Sequence, residues 1–200
     1  TYCYQVLDLQ VTLFSDDLCF LPDEACSLEQ AKIVLVPVPY DGTSTWGKGA
    51  DKGPDAIFAA SKHLEAYDIE TGTEVWRQGI ATDAPVLEQE SPEAMVGAVE
   101  TRVDQHLAKA RFPGVVGGEH SVSIGAIRAH AKQYPDLTVL QLDAHSDLRE
   151  QYCGSSYNHA CVMARVQASC PIVQVGICSM DVSELKRIDP QRIFYARDIC

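Results

Sequence analysis

The 200-residue sequence predicts an α/β protein: a mainly parallel sheet with helices on both faces. Three observations lead there. Continuous apolar, β-branched runs of strand length recur along the chain, the pattern of strands buried on both faces. Segments with helical patterning separate them, and strand-helix alternation at this spacing builds parallel sheets. Polar clusters rich in Gly, His and Asp follow directly on the runs, where parallel sheets collect ligands beyond the carboxyl ends of their strands.

Taken in order, residues 1–30 show no clear period and read as an N-terminal arm. Lys32 to Val38 is the first strand, and Tyr40 to Gly53 a loop rich in Gly, Ser and Thr. Pro54 suits the first turn of a helix that continues through Ala60. A short strand is expected near Ile80. Ser91-Pro92-Glu93 opens a helix with a cap residue, an N-terminal proline and an early acid, running to about Ala110. Then come a strand from Phe112 to Val116, a helix from Ser123 to Tyr134 and a strand from Leu137 to Leu142. Helix from Ala160 to Gln167, strand from Ile172 to Ile177, a helical turn from Val182 to Lys186 and a strand from Ile193 to Tyr195 complete the series. With no internal repeat and no linker, one domain over residues 31–200 is expected after the arm.

Composition narrows the function. A net charge of −12 argues against a nucleic-acid binder, which needs a basic stripe to neutralise phosphates. It accords with a cationic substrate or with metal ions. No apolar run approaches the ~20 residues that span a bilayer, and no export signal opens the chain, so a cytoplasmic protein without membrane contact is expected. The eight cysteines form no CxxC pair, which speaks against a zinc ribbon or a disulfide scaffold and for free, mostly buried thiols.

The strongest chemical signal is Leu140-Gln141-Leu142-Asp143-Ala144-His145-Ser146-Asp147, where an apolar strand delivers three potential ligands at alternate positions. On extended backbone such residues point to one side, so Asp143, His145 and Asp147 can converge. Carboxylates with imidazole suit a borderline divalent ion such as Mn²⁺ or Zn²⁺. The competing reading is a loop whose aspartates cap a helix. The second cluster is Val115-Val116-Gly117-Gly118-Glu119-His120-Ser121, in which two glycines permit close backbone approach and present His120 at the same sheet edge. Each cluster is weaker alone than the pair. His159 opens a helix in the following loop, as a proton carrier or substrate contact or simply as a surface histidine. His63, His106 and His130 read as helical positions with structural or solvent roles. Gly42 to Gly49 superficially resembles a phosphate loop, but Lys48 is followed by Gly49 and the GxxxxGK[ST] pattern fails.

Together these residues resemble the ureohydrolase family, the arginases, agmatinases and their relatives. Gly117 to His120 matches its GG[DE]H segment and Asp143 to Asp147 its DAHxD segment. Pro39 to Thr43, Gly53 to Ile57, Leu64 to Asp68 and Ser156 to Met163 extend the likeness over roughly residues 30–195, nearest the agmatinase branch. The resemblance implies a three-layer α/β/α sandwich (arginase/deacetylase-like), usually a homo-oligomer, with two Mn²⁺ ions. His120 and Asp147 would bind one ion, His145 the other, and Asp143 would bridge both. His159 would match the family's histidine near the scissile guanidinium. The implied reaction is hydrolysis of a small cationic guanidino compound to urea and an amine, foremost agmatine to putrescine. Arginine, guanidinobutyrate or formimidoylglutamate as substrate, or a non-catalytic binding protein, are the alternatives. Two departures stand out. The family's SxDxDxxDP segment has no counterpart, since Asp181 and Asp189-Pro190 lack its pattern, and a chain cut short at the C-terminal side is expected. Cys178 stands where relatives often carry arginine in a G-I-R-S segment.

Overall fold

The computed structural model describes residues 19–21 and 25–199, so most of the expected N-terminal arm lies outside the described residues. Six strands and four α-helices follow one another as β1 (Ile33–Val38), α1 (Gly53–Ser61), β2 (Ile80–Thr82), α2 (Pro92–Leu107), β3 (Phe112–Gly117), α3 (Val122–Gln133), β4 (Val139–Leu142), α4 (Val162–Val166), β5 (Ile172–Ile177) and β6 (Ile193–Tyr195). Among the described residues all pairings between these strands are parallel, as the sequence predicts. They form two sheets rather than one, ordered β2-β1-β3 and β4-β5-β6.

Proline placement shows why these runs tolerate being strands. Pro37 lies in the central strand β1, where a missing N–H would normally break a ladder. β2 pairs only with Ile33 to Leu35, so Pro37 sits past its end, and its carbonyl accepts from Val86 N at 2.9 Å in the segment beyond. The apolar residues Val34, Val36 and Val38 of β1 are fully buried, and with Met95, Val96, Val99 and Val103 of α2 they belong to one core.

α2 starts as its sequence directs: Ser91 Oγ accepts from Ala94 N at 3.0 Å, with Pro92 behind it. Helix α3 crosses α2 at very short range at Gly125, where an added Cβ would lie 2.4 Å from the Val96 carbonyl oxygen. The expected helix from Ala160 to Gln167 begins instead as a 3-10 turn over His159–Cys161 before α4.

Strand β4 departs from the expectation of a plain apolar strand. Leu140 and Leu142 are exposed, whereas Gln141 is buried. The reason lies in the loop that β4 feeds. Gln141 Nε2 donates to the His145 carbonyl (3.1 Å) and to Asp143 Oδ2 (3.2 Å), and its own oxygen accepts from buried Gln174 Nε2 on β5 (2.6 Å). Gln174 also donates to the Ser146 carbonyl at 2.8 Å. A pair of amides inside the sheet thus holds the backbone beyond its end.

The cysteine expectation is partly corrected. All six described cysteines are unpaired, but only Cys161 and Cys170 are buried, and Cys153 and Cys178 are exposed. His63 falls in a turn after α1 rather than in a helix. His106 is structural, with Nε2 2.8 Å from Asp83 Oδ2, and His130 Nδ1 lies 2.8 Å from the Ala126 carbonyl oxygen. No helix among the described residues is long and apolar enough to cross a membrane.

Candidate metal centre

The carboxyl ends of β1, β3, β4 and β5 deliver the residues around one cavity of about 400 Å3, whose lining includes His120, Asp143, His145, Asp147 and His159. All five sequence candidates therefore share one site.

After β3 the chain turns through Gly118 at φ +26°, so close to β1 that a Cβ there would lie 2.4 Å from the Tyr40 carbonyl oxygen and 2.6 Å from that of Val38. Only glycine fits, and the turn carries His120 to the sheet edge. After β4 the chain bends at Ala144, and His145 then forms an isolated parallel bridge with Ser179. Asp147 then takes the left-handed backbone conformation, a non-glycine residue at φ +50°. The expectation of an extended run through Asp147 is corrected at the Ala144 bend and again at Asp147. This conformation is tied down: Asp147's carbonyl accepts from Met163 N (2.9 Å) and Ala164 N (3.2 Å) at the start of α4.

One donor atom each from His120, Asp143 and Asp147 lies within 4.8 Å of the others. His120 Nδ1 is 2.6 Å from Asp147 Oδ2 and 3.7 Å from Asp143 Oδ2. The other oxygen of Asp143 faces His145, whose Nδ1 is 3.6 Å from Oδ1 and whose N–H donates to it at 2.9 Å. His145 itself is the most open of the four, its side chain 67% exposed, and lies outside the three-residue cluster.

Burial disfavours a charged His120, yet the hydrogen bond to Asp147 and the charges of Asp147, Asp143 and Glu119 outweigh it and raise its pKa above the ordinary histidine value. Two carboxylates converging on one imidazole, with nitrogen and oxygen donors and no thiolate, form a donor set that a borderline divalent cation fits.

Three residues that sequence reading passed over brace the centre. Glu184, in the 3-10 helix Val182–Arg187 after β5, is buried. Its carboxylate accepts from Ser146 Oγ, from Leu148 N (2.9 Å), from Arg149 Nε (3.3 Å) and, closing a capping box, from Asp181 N (3.0 Å). Glu119 is buried beside His120 and accepts from Ser121 N and Oγ (both 2.7 Å) and from Thr43 Oγ1 (2.8 Å). Thr43, in the loop after β1, in turn receives His159 N–H at 2.9 Å. Its place past the end of a parallel strand was the available signal. Burial, with the charges of Glu119 and Glu93 adding to it, pushes the neighbouring Tyr40 phenol up to about 12. The loop that only superficially resembles a phosphate site is closed on itself, Asp41 Oδ2 accepting from Gly49 N (2.7 Å) and Ala50 N (3.2 Å), and Lys48 Nζ donating to the Asp41 carbonyl (2.7 Å).

Fold and site together define a parallel α/β protein with a carboxylate–imidazole cluster, a candidate cation centre, at its strand ends. Comparison with known proteins gives that class a family. The Arginase family profile matches residues 31–199, and the chain belongs to that family. It is 38% identical over 191 residues to N(1)-aminopropylagmatine ureohydrolase of Synechocystis sp., covering 90% of this chain and 62% of that protein. It is 36% identical over 134 residues to agmatinase of Bacillus subtilis, covering 66% of this chain and 46% of that one. The structure of agmatine ureohydrolase from Thermoplasma volcanium superposes with a TM-score of 0.80 at 32% identity, covering 94% of this chain and 64% of that one. The chain thus spans roughly half to two-thirds of the length of these relatives. The α/β/α architecture expected from the sequence is the one these neighbours share.

Proposed function

We propose that the protein hydrolyses a cationic guanidino compound to urea and an amine at a two-ion centre. The observation that carries this reading is the convergence of His120, Asp143, Asp147 and His159 on one cavity at the ends of parallel strands. His120 and Asp147 would hold one Mn²⁺ and His145 the other. Asp143 would bridge them, a role supported by its two oxygens facing different histidines. Ions bound there would lower the pKa of a water from ~15.7 toward neutrality and so supply a nucleophile for the resonance-stabilised guanidinium carbon. The chain's own part is to orient the guanidinium through carboxylate oxygens and to return a proton to the departing amine from His159.

Agmatine, giving putrescine, is the substrate of first choice, in keeping with the acidic chain and a cavity edged by Asp143, Asp147, Asp181 and Glu184. N(1)-aminopropylagmatine is the second reading, favoured by the higher identity to the Synechocystis ureohydrolase that bears its name. The reading includes a cytoplasmic homo-oligomer without nucleic-acid or membrane partners.

The test is urea release, with added Mn²⁺, from agmatine, N(1)-aminopropylagmatine, arginine and guanidinobutyrate. Turnover of either agmatine compound well above arginine is the expected result. Equal or faster release from arginine overturns the substrate assignment, and no urea from any of the four favours a binding protein instead.

A further inference from the structure

The contacts of Thr43 constrain where His159 keeps its proton. A carboxylate accepts hydrogen bonds and gives none, and a threonine hydroxyl has one proton to give. Glu119 Oε1 lies 2.8 Å from Thr43 Oγ1, with both side chains buried, so that one proton is committed to Glu119. Two further donors, Ser121 N and Ser121 Oγ, hold the carboxylate in place at 2.7 Å. The Thr43 oxygen is left with lone pairs alone, and they face His159 twice: its backbone N–H at 2.9 Å and its ring Nδ1 at 3.3 Å. An acceptor can satisfy Nδ1 only if Nδ1 carries the hydrogen.

We infer that Glu119 and Thr43 are positioning residues that fix the tautomer of His159, holding the proton on Nδ1 and leaving Nε2 with a free lone pair. Nε2, on the other edge of the ring, is then the atom that takes up a proton and delivers it to a molecule in the cavity that His159 lines. The ring is also held in orientation by Tyr152, edge to face at 6.0 Å between centroids. This chain of contacts joins residues 76 and 116 positions apart, Glu119 to Thr43 and Thr43 to His159. The proton-delivery role rests on the guanidino hydrolysis proposed above, whereas the tautomer does not.

The experiment is nitrogen-15 NMR of histidine-labelled full chain, loaded with diamagnetic Zn²⁺, above the titration range of the ring. His159→Asn identifies the signals. The wild type is expected to show protonated Nδ1 and unprotonated Nε2 at His159. Thr43→Val, which removes the acceptor, is expected to let the Nε2–H form appear, and Thr43→Ser to restore the wild-type pattern. Glu119→Gln, whose amide can donate to Thr43 and release the hydroxyl proton toward the ring, is expected to shift the balance the same way as Thr43→Val. In Mn²⁺-supported urea release, Thr43→Val should lose about tenfold or more in kcat with little change in KM, a part of the about 10²–10⁴-fold that positioned proton transfer contributes. An Nε2–H tautomer in the wild type overturns the inference whatever the variants do. So does urea release together with a Thr43→Val spectrum identical to the wild type. An Nδ1–H signature lost in Thr43→Val supports it even if no guanidino compound is hydrolysed, a result that would fall on the functional reading alone.

Discussion

Nδ1 of His120 lies 2.6 Å from Oδ2 of Asp147, although one residue follows β3 and the other β4, strands of two separate sheets. Two local backbone devices make the meeting possible, the turn at Gly118 and the left-handed conformation of Asp147. The contact joins the sheets at the point where the carboxylates of Asp143 and Asp147 meet an imidazole.

Ligand removal should therefore be graded by position. Losing even a hydrogen-bond partner of a metal ligand costs about 10–100-fold in affinity, so His120→Ala should weaken Mn²⁺ binding by at least that factor. His145→Ala, touching only the outer oxygen of Asp143, should lower the manganese content toward one ion per chain and leave the other bound. Elemental analysis after gel filtration measures both. Unchanged stoichiometry in His145→Ala would remove that histidine from the ligand set.

Glu184 should matter for stability and for metal together. It links the loop after β4 to the turn after β5 through Ser146, Leu148 and Arg149. Breaking a buried charged network by removing one member costs about 3–5 kcal/mol. Glu184→Ala should lose stability of that order in urea denaturation and bind Mn²⁺ more weakly, because Asp147 is adjacent to the released segment. A variant with wild-type metal affinity would show that the loop holds its shape without this brace.

Most of the scaffold was legible because strand and helix periodicities are local. β5 and β6 fall on the expected residues, and α2 begins at its expected cap. The candidate ligands were legible because strand ends concentrate such residues, and they line one cavity. What escaped depends on tertiary placement. The inverted burial of β4, with Gln141 inside and two leucines outside, runs against hydropathy and makes sense only beside Gln174 and the loop both amides hold. Thr43 and Glu184 are ordinary polar residues in loops until folding sets them against partners 116 and 38 positions away. The left-handed backbone at Asp147 has no glycine to announce it.

The Asp83 cluster yields a pH prediction away from the centre. Asp83, just past β2, meets His106 Nε2 at 2.8 Å and Arg102 Nη1 at 2.9 Å on α2. Burial works against its charge, but the hydrogen bonds from His106, Arg102 and Ala84 N, with the charge of Arg102, prevail and hold its pKa below the ordinary carboxylate value. A depressed folded-state pKa stabilises the fold above the unfolded pKa of ~3.9, and that stability is lost as pH falls through the folded value. Asp83→Asn should thus cost about 1–3 kcal/mol at pH 7, with the gap to wild type narrowing below about pH 4. Thermal melts of both proteins across that range test it. A gap that stays constant would mean the loss comes from packing rather than from charge.

Gly118→Ala should be among the most damaging single substitutions in the chain. Its φ of +26° lies where side chains are rarely tolerated, and the added methyl would press on the carbonyl oxygens of Val38 and Tyr40 at 2.6 and 2.4 Å. Both obstacles are backbone, at the carboxyl end of β1 and just beyond it, so no rotamer change relieves them. The conflict must be met by moving β3's exit, and with it His120. A cost of about 3 kcal/mol or more is expected, above the range of ordinary surface substitutions. Because the same turn orients the imidazole, Mn²⁺ affinity should fall even in the fraction that stays folded. Measuring binding by calorimetry on the folded variant separates the two effects: native affinity alongside lost stability would mean that His120 reaches Asp147 without help from this glycine.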